Sequence, residues 1–181
     1  MTRIGRGATL FIGGARSGKS DLVVELGEAW DGDVVFVATA TAGDVDMAER
    51  IRRHQLDRPD HWGLVEDATF SAEALSAIDD DALVIVDCLT LLVSNLFFDE
   101  VEDDGVVAHV GSLMESAATR SAPTLVVTNE VGLGLHPETS MGRRYRDLLG
   151  RVNRRAADGS ETVLFVVAGR ALELNKIETS W

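Results

Sequence analysis

The stretch of sequence that decides the fold is Gly13-Gly14-Ala15-Arg16-Ser17-Gly18-Lys19-Ser20. It matches the G-x-x-x-x-G-K-[ST] pattern of a phosphate-binding loop, with an apolar run before it and helical sequence after it. In such a loop, backbone N–H groups converge on phosphate oxygens, and the following helix presents the positive end of its dipole to the same anion. The stretch therefore predicts that the whole loop binds a nucleotide and that Lys19 reaches its β and γ phosphates.

Short apolar runs on either side of this loop predict the strands of a sheet. The runs are Ala8–Ile12, Val34–Thr39, Ala82–Asp87, Thr124–Thr128 and Thr162–Ala168. Continuous apolar runs suit parallel strands that are buried on both faces. The segments between them carry apolar residues at helical spacing, for example Leu22, Leu26 and Trp30, or Met141, Tyr145, Leu148, Val152 and Ala156. The predicted fold is a single-domain α/β fold of the P-loop NTPase, RecA-like type, a mostly parallel sheet flanked by helices over residues 1–181, with ligands at the carboxyl ends of the strands.

The charge balance restricts the partners that we expect. The chain of 181 residues has a net charge of -13, from 30 acidic against 17 basic side chains. A surface of this sign repels polyanionic nucleic acid, so a nucleic-acid partner is not expected and any phosphate ligand must be held locally. The longest apolar runs are far shorter than a bilayer span, so we expect no membrane insertion.

The cysteine content points to a reducing compartment. Cys88 is the single cysteine of the chain, which excludes an internal disulfide framework. This favours a cytoplasmic location. A lone cysteine in apolar sequence is usually a small core residue, so we assign it no chemistry. His61 and His109 lack the neighbours that a zinc site or a catalytic triad would require.

A magnesium site is expected beside the phosphate-binding loop. Ser20 would contribute its hydroxyl, and a carboxylate at the end of another strand normally completes such a site. Asp87 ends the apolar run Leu83-Val84-Ile85-Val86-Asp87 and is the candidate. The alternative for Asp87 is the N-cap of the helix that follows.

Other polar positions remain open from the sequence alone. Asp99–Gly105 is acidic and is predicted to be an exposed loop. Glu130 is either a polar strand terminus or a group that orients metal or substrate. The helix after Pro137 carries six arginines from Arg143 to Arg155, which form either a solvated face or contacts to substrate phosphate or to a neighbouring subunit.

A histidine follows the second predicted strand. Asp44 can cap a helix over residues 46–54, in which Met47 and Ile51 would anchor one face and His54 would lie half-sheltered beside them. A helical histidine considered alone is more often a solvated or packing residue than a nucleophile.

Several motifs together resemble one family. Arg50-Ile51-Arg52-Arg53-His54 and Arg58-Pro59-Asp60-His61-Trp62 resemble the R-I-x-x-H and R-P-x-x-W stretches of the adenosylcobinamide kinase/adenosylcobinamide-phosphate guanylyltransferase family. The same family carries G-G-A-R-S-G-K-S, which stands unchanged here. Further similar stretches are Cys88-Leu89-Thr90, Ser94-Asn95-Leu96, Val127–Gly134 and Gly150-Arg151-Val152-Asn153, so the resemblance covers nearly the whole chain. Two departures are Asp87, where the family often has glutamate, and Arg53, where some members have a second histidine.

The resemblance implies two reactions at one nucleotide pocket. The first is phosphorylation of adenosylcobinamide, and the second is transfer of GMP from GTP to the resulting phosphate, in cobalamin synthesis. It implies a covalent GMP intermediate on His54, nucleotide contacts at Thr39, Arg58 and Glu66, Mg²⁺ as cofactor, and GTP and ATP as nucleotide substrates. It also implies a homo-oligomer, in this family a trimer. Two alternatives are a P-loop small-molecule kinase without guanylyl transfer and a nucleotide-dependent switch or motor module.

Overall fold

A seven-stranded sheet forms the centre of the fold. The computed structural model describes residues 4–40, 59–134 and 136–177. The strands are β1 Ala8–Gly13, β2 Val34–Ala38, β3 Gly63–Glu66, β4 Leu83–Asp87, β5 Thr124–Asn129, β6 Thr162–Val167 and β7 Arg170–Glu173. They lie in the order β3-β2-β4-β5-β1-β6-β7. Every neighbouring pair is parallel except β6 and β7, which confirms the predicted α/β fold with a mostly parallel sheet.

Five helices flank the sheet in the described residues. They are α1 Lys19–Glu28, α2 Ala72–Ser76, α3 Leu89–Phe98, α4 Asp103–Ala118 and α5 Ser140–Asp158. The long α5 begins where the Thr139 hydroxyl accepts the Gly142 N–H at 3.0 Å, which satisfies one of the free donors of the first turn. Within these ranges no helix is long and apolar enough to cross a membrane.

Apolar side chains on both faces of the sheet form the core. Val84, Val86 and Val126 point to the face that α3, α4 and α5 cover. Ile85 and Leu125 alternate with them and pack on the opposite face with α1. This alternation explains why the strand sequences are continuously apolar, as the sequence analysis predicted.

Three segments differ from the predictions. β3 and β7 were not predicted, because both are short edge strands with largely exposed residues and no apolar run. The prediction of a loop over Asp99–Gly105 is wrong for its second half, since α4 begins at Asp103. Asp103 and Asp104 lie in the first turn of α4, where carboxylates interact favourably with the helix dipole.

Candidate nucleotide-binding site

The phosphate-binding loop connects β1 to α1, and two glycines are required to form it. A Cβ added at Gly13 would lie 2.2 Å from the carbonyl oxygen of Val166 on the neighbouring β6. Gly18 has φ +95° at the N-cap of α1, a conformation that other residues adopt only at a cost. The loop thus needs glycine at Gly13 for close backbone packing and at Gly18 for its turn into the helix.

Lys19 places a positive charge in the middle of this loop. Its ammonium donates to the carbonyl oxygens of Gly13 at 2.9 Å and Gly14 at 2.7 Å, and to Ser17 Oγ at 3.3 Å. The residue is only 6% exposed. Burial lowers the pKa of its ammonium, and this effect outweighs the nearby charge of Asp87, which raises the pKa. A partly desolvated cation interacts more strongly with a phosphate than a solvated one.

A pocket of about 610 Å³ opens above the loop at the carboxyl ends of the strands. The predicted residues Ala15 to Ser20 line it together with Asp87. Gly13 and Gly14, also predicted to bind the nucleotide, are not among its lining residues; their carbonyl oxygens accept hydrogen bonds from the Lys19 ammonium. Phe36, Leu91 and Val127 supply an apolar part of the wall. A volume of this order, with few charged groups and apolar walls, is typical of a small-molecule site.

Asp87 and Ser20, the predicted magnesium ligands, line the same pocket. Asp87 is the last residue of β4 and lies between Ala38 of β2 and Val127 of β5. Cys88, the next residue, occupies the N-cap of α3, so the alternative that Asp87 caps this helix is wrong. The described residues contain no group of three His, Cys, Asp or Glu side chains that could hold a metal ion. Mg²⁺ typically uses one or two carboxylates and completes its shell with phosphates and water, which the pair Ser20 and Asp87 would allow.

The other predicted nucleotide contacts are not brought to the pocket wall in the described residues. Thr39 is fully buried, and its hydroxyl donates to the Cys88 carbonyl at 2.7 Å and accepts the Cys88 N–H at 2.9 Å. Glu66 is an exposed residue at the end of the edge strand β3. His54 and Arg58 lie outside the described residues, as does the predicted helix over residues 46–54. The roles of all four stay predictions.

Sequence reasoning missed several residues that line the pocket. They are Asn129 at the end of β5, Thr90 in the first turn of α3, and the turn Ala168-Gly169 between β6 and β7. Asn129 lies beside Gly13, since the two residues are register partners in neighbouring strands. A polar residue at the carboxyl end of a predicted strand was the sequence signal that could have identified it.

The remaining polar groups have local partners. Glu130 accepts the Gly132 N–H, as expected of a polar strand terminus. His109 Nε2 lies 3.0 Å from the carbonyl oxygen of Phe70. Cys88 is buried in the core, as predicted.

Four of the six arginines of α5 contact surface carboxylates. Arg144 binds Asp103, Arg146 binds Asp147, Arg151 binds Asp104 and Arg155 binds Glu115. These ion pairs support the interpretation of a solvated helix face for those four.

Solved structures show the same fold. A protein described as "Structural study of Project ID PH0250 from Pyrococcus horikoshii OT3" superposes with a TM-score of 0.58 at 11% identity, covering 97% of this chain and 90% of that one. The RadB recombinase superposes with a TM-score of 0.51 at 19% identity, covering 88% of this chain and 73% of that one. At these identities the likeness shows the fold alone.

Curated relatives match at much higher identity over most of the chain. Proteins named bifunctional adenosylcobalamin biosynthesis protein CobU, from Escherichia coli strain K12 and Salmonella typhimurium strain LT2, are each 35% identical over 91% of this chain and 98% of the relative. The bifunctional adenosylcobalamin biosynthesis protein CobP of Pseudomonas aeruginosa is 38% identical over 91% of this chain and 95% of the relative. The sequence profile described as cobinamide kinase / cobinamide phosphate guanyltransferase matches residues 9–174. The chain therefore belongs to the cobinamide kinase / cobinamide phosphate guanyltransferase family.

Proposed function

We propose that this chain phosphorylates adenosylcobinamide and then transfers GMP from GTP to adenosylcobinamide phosphate, giving adenosylcobinamide-GDP and pyrophosphate in cobalamin biosynthesis. Family membership and the two activities in the family description support the proposal. The observation that carries it is the position of the buried Lys19 ammonium, inside the phosphate-binding loop and facing the same pocket as Asp87.

In the kinase step, a hydroxyl of the corrinoid side chain attacks the γ phosphorus, and the bond from that phosphorus to the β–γ bridging oxygen breaks. The nucleoside diphosphate leaves, and the hydroxyl proton passes to solvent. Catalysis of such a transfer consists mainly of positioning and charge neutralisation. Lys19, the loop N–H groups and the N-terminus of α1 supply fixed positive charge at the phosphates. Ser20 and Asp87 would hold Mg²⁺, which when bound neutralises further charge on the β and γ phosphates.

In the guanylyl step, we expect an imidazole nitrogen of His54 to attack the α phosphorus of GTP. The bond to the bridging oxygen breaks, pyrophosphate leaves, and GMP becomes bound to the histidine. An oxygen of adenosylcobinamide phosphate then attacks the same phosphorus and releases the imidazole. Dividing one displacement into two allows one pocket to accept the donor and the acceptor in turn.

The proposal extends to the cofactors, partners and location of the protein. Mg²⁺ is the cofactor, GTP and ATP are the nucleotide substrates, and the corrinoid is the second substrate in a cytoplasmic enzyme. We also expect a homo-oligomer, specifically a trimer. Exposed apolar side chains on β6 and β7 support association between subunits. Leu172 is 63% exposed and Val167 is 56% exposed. Light scattering on the purified protein measures the number of subunits directly.

Two alternative functions make different predictions. A P-loop kinase without guanylyl transfer would phosphorylate a small molecule but form no adduct with GMP. A switch or motor module would hydrolyse the nucleotide without transferring phosphate to a small molecule. The net charge of -13 argues against a motor that acts on nucleic acid.

Labelling with GTP that carries ³²P at the α phosphate separates these functions. We expect a protein adduct that is labile in acid and stable in base, as a phosphoramidate is, and that is lost in His54→Ala. His61→Ala is the matched control, because His61 is exposed and close in sequence, and it should label normally. Absence of the adduct from the unmodified protein, or its persistence in His54→Ala, would rule out the proposed intermediate.

Variants of Lys19 and His54 test how the two steps are divided. Lys19→Ala should impair both phosphorylation and guanylyl transfer, because both use the same triphosphate site. His54→Ala should retain phosphorylation of adenosylcobinamide while it loses GMP transfer. An equal loss of both activities in His54→Ala would contradict this division.

A further inference from the structure

Asn129 ends β5 at a point where its neighbours fix its backbone from three directions. The Asn129 N–H donates to Thr90 Oγ1 at 2.8 Å. Its carbonyl oxygen accepts the Asn153 side-chain amide at 2.9 Å. The N–H of the following residue, Glu130, donates to the carbonyl oxygen of Gly13 at 2.9 Å. The Cα–Cβ direction of Asn129 is therefore set by α3, α5 and the phosphate-binding loop together.

The residues that fix Asn129 are themselves held. Asn153 is 5% exposed, and its Oδ1 accepts the Thr128 hydroxyl at 2.7 Å. The carbonyl oxygen of Thr90 accepts the Tyr145 hydroxyl at 2.8 Å. Each neighbour thus has a buried or partly buried partner of its own, which limits its movement.

The side chain of Asn129 faces the nucleotide pocket. It lines the pocket together with Lys19 and Asp87. Across the described ranges, no hydrogen bond involves its side-chain amide, although its backbone groups are all engaged. A half-buried amide held at the wall of a pocket, with two N–H donors available, is a ready partner for an anionic ligand.

The neighbouring loop indicates which part of the ligand the amide would meet. Gly13 is the register partner of Asn129, and the Gly13 carbonyl oxygen also accepts the Lys19 ammonium. The lysine of such a loop reaches the β and γ phosphates, so these phosphates would lie beside the end of β5. We propose that Asn129 donates a side-chain N–H to an oxygen of the γ phosphate, in the site of the proposed function on which this inference rests.

A neutral amide suits this position chemically. It contributes a hydrogen bond to the phosphate without adding a proton that could be transferred. A donor held in place before the reaction also avoids the cost of reorganisation while charge redistributes on the γ phosphate. Asn129 therefore distinguishes a triphosphate from a diphosphate and stabilises the group transferred in the kinase step.

Nucleotide affinity tests the contact directly. Isothermal titration of GTP and of GDP, each with Mg²⁺ and in a His54→Ala background that cannot form the covalent intermediate, should show that Asn129→Ala weakens GTP binding roughly tenfold to a hundredfold, the range for a lost hydrogen bond to a charged group. GDP binding should change less than about twofold by the same reasoning. Asn129→Asp keeps the size of the side chain but adds a charge that repels the triphosphate, so it should weaken GTP binding at least as much. Asn175→Ala, an exposed asparagine in the last segment, is the control and should bind both nucleotides normally.

The results separate this inference from the proposed function. Equal losses of GTP and GDP affinity, or no loss in either variant, would overturn the role of Asn129. If the GTP loss is selective while the unmodified protein performs no guanylyl transfer, the contact stands and the proposed function fails.

In the active enzyme, Asn129→Ala should lower kcat for phosphorylation at least tenfold and leave KM for adenosylcobinamide unchanged. A rise in that KM without a change in kcat would contradict the proposed contact.

Discussion

Gly169 donates its backbone N–H to the carbonyl oxygen of Ser17 at 2.8 Å, so the turn between the last two strands supports the phosphate-binding loop. Val167 and Arg170 are register partners, which leaves Ala168-Gly169 as a two-residue hairpin turn. Both turn residues have positive φ, 51° at Ala168 and 69° at Gly169, the pattern of a type I′ turn. The β6–β7 hairpin, at the edge of the sheet, therefore contributes to the geometry of the site.

We predict that a methyl group at Gly169 destabilises the protein through the backbone alone. A Cβ there would meet no atom within 4 Å, so no steric contact opposes it. The left-handed conformation nevertheless costs about 1 to 2 kcal/mol for a residue with a side chain. Gly169→Ala should lower the free energy of unfolding by about this amount, measured by urea denaturation.

Gly150→Ala is the matched control with the opposite sign. Gly150 lies inside α5, is exposed, and also has open space where a Cβ would be. Replacing a helical glycine by alanine should raise the free energy of unfolding by about 0.5 to 1 kcal/mol. Equal effects of the two substitutions would show that backbone conformation does not decide the outcome.

The same hairpin shows where sequence analysis succeeds and where it stops. The strands β1, β4 and β5 were predictable because burial on both faces requires continuous apolar residues. β7 was not, since an exposed edge strand such as Arg170–Glu173 is stabilised by pairing with β6 and carries no hydrophobic pattern. Edge strands depend on neighbours that are distant in sequence.

The residues that line the pocket were likewise predictable only in part. The phosphate-binding loop is a local motif, so its residues and the partner Asp87 followed from short stretches of sequence. Asn129 and Gly169 reach the pocket only because β5 and β6 flank β1, and this strand order cannot be deduced from the individual strands. Thr39 was predicted as a nucleotide contact, but its buried hydroxyl is engaged with the backbone of Cys88.

Gly13→Ala should destabilise the protein much more than Gly14→Ala. The added methyl group at Gly13 would lie 2.2 Å from a backbone oxygen of β6, whereas at Gly14 it would meet nothing within 4 Å. Overpacking that shifts the backbone costs typically about 1 to 3 kcal/mol. Thermal unfolding should show a clearly lower Tm for Gly13→Ala and a near-normal Tm for Gly14→Ala. Similar Tm values would mean that β1 and β6 separate easily.

Thr39→Val should destabilise the link between β2 and β4. Valine has nearly the shape of threonine but removes the hydroxyl to which the Cys88 N–H donates, while the Cys88 carbonyl oxygen keeps the N–H of Leu92 as a donor. Each buried polar group left unsatisfied costs about 1 to 3 kcal/mol. Urea denaturation should show a large loss for Thr39→Val and a smaller one for Thr39→Ser, which keeps the hydroxyl. If instead Thr39→Val is stable and only raises the KM for nucleotide, the predicted nucleotide contact is correct.

The buried thiol of Cys88 should make stability depend on pH in the alkaline range. Burial raises the pKa of Cys88 from 9.0 to about 12. The unfolded thiol therefore ionises first, and the contribution of Cys88 to stability is complete below pH 9 and is lost progressively toward pH 12.

Burial also raises the pKa of Tyr145, so the comparison with Cys88→Ala is needed to isolate the thiol. Relative to that variant, the free energy of unfolding of the unmodified protein should fall by about 1.4 kcal/mol between pH 8 and pH 10. A constant difference across this range, or rapid labelling of the folded protein by a thiol reagent at pH 8, would show that Cys88 is accessible and ionises normally.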